Sequence, residues 1–443
     1  MQNTRSLALE ILLQKTSTVP FPLLLEKAYK KLKEHEHIKQ EKAFLMALCY
    51  GVLRYQGIIN TLLIPYQKQK NSSFFETNLS LALFELFFLQ KKQDHAILNE
   101  YVEILKKKEG QKKANVLNAI LRAMLKDKET LEQQIQNLTQ KIQTKIAPNQ
   151  IPSKKNLRQL HNLADLAPIF TQELDPLFYQ QITEESFYTP KPSFRINTQK
   201  TKELPSFIQS LSTSIFFCEE QETIQLKDLE EQGYISRQGV SSALLTEELV
   251  NFYHAQNLKN GVWDMCCGRG GKSLGLLEKN IPVLFATEPN AQRIQDFQNQ
   301  LQRLSLKEPY IKQGLAQDIA INFPPSIEKN FSLLLLDSPC STSGTIARNP
   351  EVKYRITQEN LTQILQTQQE LLETAWNIVE ENSFLCYCTC SLFQKENKTQ
   401  IQTFLKKHNN AHCLFEKYLI PSNLDPKLKG HDILFYAILQ KIA

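Results

Sequence analysis

The sequence predicts a multi-domain chain: an all-α first third, a small α/β module, and a C-terminal α/β domain built on a largely parallel sheet. Three observations carry this. Apolar residues recur at three and four spacing through residues 1–140. Short strand patterns broken by turn residues fill 166–240. From 241 to 443, strand patterns alternate with amphipathic helical ones, which implies parallel strands covered on both faces.

In the first part, "RSLALEILLQK", "LLLEKAYKKLK", "EKAFLMALCYGVLRYQGIINTLL", "NLSLALFELFFLQK", "ILNEYVEILKKK" and "KANVLNAILRAMLKDK" read as helices, with no proline between Pro65 and Pro148. Residues 141–165 are polar, carry Pro148 and Pro152, and read as a linker. In the module, "PSFRINTQKTKELPSFIQSL" reads as strand, turn and helix, and "GYISRQG" as a further strand. In the last part, "GVWDMCC", "IPVLFATE", "SLLLLD", "SFLCYCT" and "ILFYAILQ" read as strands. Helical "NAQRIQDFQNQLQRL" and "QENLTQILQTQQELLETAWNIVEE" lie between them. A functional site is expected on loops at the carboxyl ends of these strands.

Composition narrows the function classes. At 443 residues there is room for two or three domains, and 42% hydrophobic with 22% charged residues describes a globular chain. No apolar run approaches the ~20 residues of a membrane span. Glu10 breaks the apolar stretch near the start and no cleavage site follows, so a cytoplasmic protein without a membrane partner is expected. Nine cysteines without a CxxC pair argue against a zinc ribbon and against a disulfide framework. Cys388 is further expected to face away from Cys386 and Cys390, so that no metal is held there. Residues 1–150 hold 23 lysines and arginines against 14 acids, although the whole chain is only +6. A basic first third suits a polyanion such as nucleic acid; a solvated lysine-rich surface is the plainer alternative.

Three stretches carry chemistry. In "DMCCGRGGKSLGLLE" a strand runs from Asp264 into Cys266, Cys267, Gly268, Arg269, Gly270, Gly271 and Lys272, and a helix follows. Glycines there let backbone amides approach a ligand. The loop has neither Walker nor GxGxxG spacing. One strand later Glu288 ends "VLFATE", where an acid accepts hydrogen bonds from a ribose diol. A cofactor with a ribose and no required phosphate fits, and S-adenosylmethionine is the candidate. In "LLLLDSPCSTSG", Asp337 and Cys340 stand at the edge of a buried strand; an N-cap and an inert thiol are the structural alternative. In "SFLCYCTCSLFQKEN", Cys390 lies just past the end of its strand, at the same edge. Two thiols, a carboxylate and a methyl donor suit carbon methylation of a pyrimidine.

These stretches resemble the Sun-type bacterial ribosomal RNA cytosine-5 methyltransferases, the RsmB family. "DMCCGRGGK" is similar to the family's DLCAAPGGK, "LLLLDSPCSTSGTIARNPEVKY" to LLDAPCSxxGxxRRxPDIKW, and "CYCTCSLFQKEN" to VYATCSxxPxEN. "EKAFLMALCYGVLRY", "HAILNEYVEIL" and "NVLNAILR" resemble the helical NusB-type RNA-binding domain of this subfamily. The chain departs from the pattern at several places. Arg269 stands for a proline, Cys267 and Gly268 for alanines, Tyr354 for a tryptophan, Gly239 for an acidic residue and Ile433 for a glycine.

The resemblance implies a NusB-like domain ahead of a Rossmann-like S-adenosylmethionine-dependent methyltransferase domain. It assigns the nucleophile that adds to carbon-6 of cytosine to Cys390 and a part in product release to Cys340; a proton or hydrogen bond from Asp337 would stabilise the ring nitrogen that gains electron density in that adduct. Asp264, Cys266, Cys267, Gly268, Arg269, Gly270, Gly271, Lys272, Glu288, Asp318 and Asp337 are the donor-binding candidates. Lys272 is a candidate for ionising Cys390. The implied partner is ribosomal RNA, of the small subunit before full assembly, and the implied state is a monomer. A non-catalytic RNA-binding or assembly factor, and a methyltransferase acting on another RNA or on an amine or oxygen, are the alternatives.

Overall fold

The computed structural model describes residues 3–16, 19–32, 37–67, 69, 71–89, 93–143, 162–174, 176–200, 202–323 and 331–442. Most of the expected linker, 144–161, lies outside them. The chain forms two compact units. One holds Met1–Gln172, Pro176–Phe187 and Asn349–Ile356; the other holds Glu173–Asp175, Tyr188–Arg348 and Thr357–Ala443.

The first unit is helical. Its helices include Thr4–Leu12, Phe21–Tyr29, Ile38–Leu63, Ser73–Phe88, Asp94–Glu109, Gln111–Lys126, Lys128–Gln143, Pro176–Glu185 and Val352–Arg355. Ser73–Phe88 is apolar on nearly every side and buries Phe75, Leu79, Leu81, Leu83 and Leu86. Glu85, on this buried helix, is fully enclosed. Arg5 grips it with Nε and Nη2 at 2.8 and 2.6 Å, and Tyr101 Oη donates at 2.9 Å. A buried charge persists only when paired and hydrogen-bonded in this way. Residues 349–356 belong to the same body: Tyr354 Oη donates to Asp165 Oδ2 at 2.6 Å, and Lys353 Nζ donates to the Ala164 carbonyl at 2.8 Å.

The second unit contains two sheets. A four-stranded antiparallel sheet has the order β2-β3-β1-β4, with β1 Ser193–Ile196, β2 Gln209–Ser210, β3 Ile215–Phe217 and β4 Ile235–Arg237. The helix expected over "PSFIQSL" does not form. After a turn closed by Ile208 N to the Pro205 carbonyl, the chain joins the sheet edge by pairing Gln209 with Phe217. Pro205 opens this short stretch, and pairing of Gln209 and Ser210 at the sheet edge wins over a helix of about two turns.

The larger, seven-stranded sheet has the order β10-β11-β9-β8-β5-β6-β7. Its strands are β5 Gly261–Asp264, β6 Val283–Glu288, β7 Tyr310–Gln313, β8 Phe331–Asp337, β9 Phe384–Thr389, β10 Ala411–Leu419 and β11 Leu434–Lys441. β5 to β9 pair in parallel; β11 runs antiparallel to β9, and β10 antiparallel to β11. The connection order reverses between β5 and β8, so the crevice at their carboxyl ends is the expected ligand position. β7 and β10 escape the sequence reading because both are edge strands with half-exposed, polar-rich patterns.

Candidate active site

The glycine loop is held from three sides. Met265 N donates to the Leu335 carbonyl on β8, and Cys267 N to the Thr287 carbonyl on β6. Gly270 has φ 78°, and a Cβ there would run into the Phe297 ring, so close packing and a left-handed backbone both require glycine. The helix that follows, Gly271–Glu278, is clamped to β1 by the Arg195–Glu278 ion pair, with both side chains almost fully enclosed. The Gly271 carbonyl accepts from Arg195 Nη1 and from Gln238 Nε2, each at 3.1 Å. The "FRIN" segment of the smaller sheet therefore fixes the start of the loop's helix.

Asp264, at the end of β5, is buried; its Oδ2 accepts from Ser273 Oγ at 2.6 Å, while Oδ1 has no partner. Burial pushes its carboxyl up to about 7, with the Ser273 hydrogen bond opposing. Glu288, at the end of β6, is 4% exposed and accepts from Asn290 N at 3.0 Å.

Between these strand ends lies a cavity of about 430 Å³, walled by Met265, Cys266, Gly268, Glu288, Pro289, Leu315, Asp337, Ser338, Cys340, Leu371 and Cys390 among others. Of the residues expected around a cofactor, Cys266, Gly268, Glu288 and Asp337 reach its wall. Asp264, Cys267, Arg269, Gly270, Gly271, Lys272 and Asp318 do not. Arg269 is exposed and pairs with Asp296 at 3.1 Å, and Ala316 and Gln317 take the wall position instead of Asp318.

Asp337 is held by two donors. Lys272 Nζ reaches Oδ2 at 2.5 Å, and Cys388 Sγ reaches Oδ1 at 3.5 Å. Burial alone would lower the Lys272 ammonium, but the charge of Asp337 outweighs it and holds it above its ordinary value. The expected orientation of Cys388 is corrected here. Residues two apart on a strand share a face, so Cys386 and Cys388 pack into one core while Leu385 and Tyr387 pack into the other. Cys388 is thus neither turned away from Cys386 nor surrounded by apolar groups alone. No cluster able to hold a metal occurs among the described residues.

Cys340 Sγ and Cys390 Sγ lie 3.4 Å apart. The hydrogen bond to Cys390 and burial both hold the Cys340 thiol well above its ordinary value. The two loops are joined by a buried carboxylate that sequence reasoning passes over. Glu396 accepts from Ser341 N at 2.8 Å, Ser391 Oγ at 2.5 Å and Gln368 Nε2 at 3.0 Å. Ser341 and Ser391 each follow one of the two cysteines. Gly344 N donates to the Cys390 carbonyl at 2.9 Å, and a Cβ at Gly344 would come within 2.8 Å of that oxygen. Only the "EN" after the second cysteine motif hints at Glu396, and no residue type marks it as a loop clamp.

The cavity suits an adenosine-bearing donor. A strand-end carboxylate meets apolar surface from Met265, Pro289 and Leu315, and Gly268 has open space where a Cβ would stand. Ser338 Oγ is buried without a partner, and Ser338 lies in the wall.

The family model for 16S rRNA methyltransferase RsmB/F matches residues 253–438, and the NusB family model matches residues 2–126. The chain is 26% identical over 421 residues to the ribosomal RNA small subunit methyltransferase B of Photorhabdus laumondii, covering 91% of both chains. It is 24% identical to the protein of that name from Vibrio cholerae, covering 91% of this chain and 90% of that one. Among solved structures, PH0851 aligns with a TM-score of 0.66 at 19% identity, covering 99% of this chain and 98% of that one. A methyltransferase homologue from Pyrococcus horikoshii aligns with 0.52 at 20% identity, covering 66% of this chain and all of that one. Residues 253–438 thus match the RsmB/F 16S rRNA methyltransferase family and residues 2–126 the NusB family, and over 91% of its length the chain is similar to proteins named ribosomal RNA small subunit methyltransferase B.

Proposed function

We propose that the protein methylates carbon-5 of a cytosine in small-subunit ribosomal RNA through a covalent cysteine adduct. It acts in the cytoplasm, as a monomer, before the subunit is fully assembled. The observation that carries this is the pair of sulfurs 3.4 Å apart in the wall of a cavity that also holds Asp337.

Carbon-5 of cytosine is a weak nucleophile. Cys390 adds to carbon-6 and turns the ring into an enamine. The ring nitrogen next to the carbonyl then gains electron density and takes up the proton that Cys390 loses, and the Asp337 carboxylate, held in place by Lys272, accepts the hydrogen bond of that N–H. Bound S-adenosylmethionine supplies a methyl group on a sulfonium; Glu288 and the loop at Cys266 and Gly268 would hold it. Water reaching the cavity takes the carbon-5 proton, the bond to Cys390 breaks with its electron pair left on sulfur, and the double bond returns. The Cys340 thiol donates to the departing sulfur and stabilises the thiolate it becomes. The base must leave its stack to reach the cavity, which an incompletely assembled subunit permits.

The test is bisulfite sequencing of small-subunit ribosomal RNA from a strain lacking this gene, complemented with the native chain or with Cys390→Ala. One cytosine should lose its methyl group on deletion and regain it only with the native chain. Identical methylation in all three strains would reject the proposal.

A further inference from the structure

The second unit holds another cavity, of about 360 Å³, in front of the helix Val240–Ala255. Gly239 precedes this helix and offers no capping side chain. The first amides of a helix have no acceptor within it, and an aspartate at this position is among the best caps. Nothing local asks for glycine. Its φ of −63° and ψ of 138° suit any residue. A Cβ there would meet only Asp432 Oδ2 at 3.5 Å and Arg348 Nη1 at 3.9 Å.

Arg348 and His431 flank the gap, with the acids Asp432 and Glu220 in the same wall. Arg348 is half exposed and spends Nη2 on Asp432 Oδ2 at 2.5 Å, leaving Nη1 towards Gly239. His431 lies in the wall, 4% exposed, and its Nε2 has no partner. Burial, with the Arg348 charge adding, lowers its imidazole to about 4, so it is neutral near pH 7. The other cations of the wall are engaged, Lys191 by Glu219 and Arg237 by Glu230, and Glu220 adds a further acid. The cavity is also close to the chemistry. Ile433, next to Asp432, donates from its amide to the Gly344 carbonyl, and Gly344 donates to the Cys390 carbonyl.

We infer that this cavity is a phosphate subsite for the RNA strand flanking the target cytosine. A backbone phosphate oxygen takes the capping place that Gly239 leaves open, accepting from the first amides of the helix and from Arg348. His431 Nε2–H donates to the same group. This rests on the RNA substrate proposed above and adds a contact made by this chain in place of an intramolecular cap.

The experiment measures binding of a small-subunit ribosomal RNA transcript as a function of salt, together with thermal melting, for the native chain, Gly239→Asp, Gly239→Ala and Arg348→Gln. Gly239→Asp should melt at a higher temperature, because the helix gains a cap, yet bind RNA more weakly. Its log–log salt slope should be shallower by about 0.7, the share of one phosphate on a single strand. Arg348→Gln should weaken binding in the same way, and Gly239→Ala should bind as the native chain does. Weaker binding with a raised melting temperature cannot arise from unfolding. Equal affinity and slope in Gly239→Asp and the native chain, with the native chain binding RNA, would overturn the subsite alone. A native chain that binds no RNA would overturn both the subsite and the functional reading.

Discussion

The sulfurs of Cys340 and Cys390 lie 3.4 Å apart although the residues are 50 positions apart in sequence. Their strands, β8 and β9, are neighbours in parallel register, with Leu335 opposite Cys386 and Asp337 opposite Cys388. Both chains leave the sheet at the same edge. Glu396 then ties the residue after each cysteine to one carboxylate. The thiol pair is therefore set by strand register and a shared anchor, and not by any local sequence element.

Lys272 Nζ lies 2.5 Å from Asp337 Oδ2. Lys272→Met should leave Asp337 without its counter-ion at the cavity wall. Methyl transfer should fall by about 10- to 100-fold, the scale for losing a charged hydrogen bond of about 1.5–3 kcal/mol. Single-turnover rates at saturating donor would check this, and an unchanged rate would remove the pair from the chemistry.

Glu288→Ala should weaken donor binding by about 1–3 kcal/mol, since one strand-end carboxylate is available for the ribose diol. Titration calorimetry with S-adenosylmethionine reads this directly. Unaltered affinity would take Glu288 out of the donor site.

Asp264 makes stability depend on pH. Its carboxyl rises from 3.8 to about 7 in the folded protein, chiefly through burial. The folded state therefore holds a proton that the unfolded state has lost between these values, so this group's contribution falls as pH rises through that window. Asp264→Asn removes the dependence. Against the native chain, the variant should gain melting temperature at pH 8 relative to its difference at pH 4. A difference that stays constant with pH would contradict the assignment.

Much of the catalytic unit can be read from sequence because buried parallel strands are continuous apolar runs. "SLLLLD" and "SFLCYCT" are such runs, and the residues at or just past their ends, Asp337 and Cys390, mark the crevice. The edge strands β7 and β10 are not legible, since they mix exposed and partly buried residues and carry no continuous apolar run. An opposite facing of Cys386 and Cys388 fails because strand residues two apart share a face. The inclusion of residues 349–356 in the helical unit has no local signal either; it depends on Tyr354 and Lys353 finding Asp165 and the Ala164 carbonyl far back in the chain.

The basic first third makes a separate prediction. Lys106, Lys107 and Lys108 lie in the last turn of their helix, on its solvent side. Replacing all three with glutamine should leave melting nearly unchanged and make the salt dependence of RNA binding shallower, by about 0.7 for each phosphate that a lysine no longer neutralises. An identical salt slope would mean that this part of the charge is only a solvated surface.

The most direct test of the cysteine mechanism is a denaturing gel of each variant after incubation with ribosomal RNA and S-adenosylmethionine. Cys390→Ala should form no adduct and transfer no methyl group while still binding the donor. Cys340→Ala keeps the nucleophile but loses the donor to the departing sulfur, so a protein–RNA species resistant to denaturation should accumulate. That species should vanish in the double variant with Cys390→Ala. Full methylation by Cys390→Ala, or a trapped complex that survives its removal, would contradict the account.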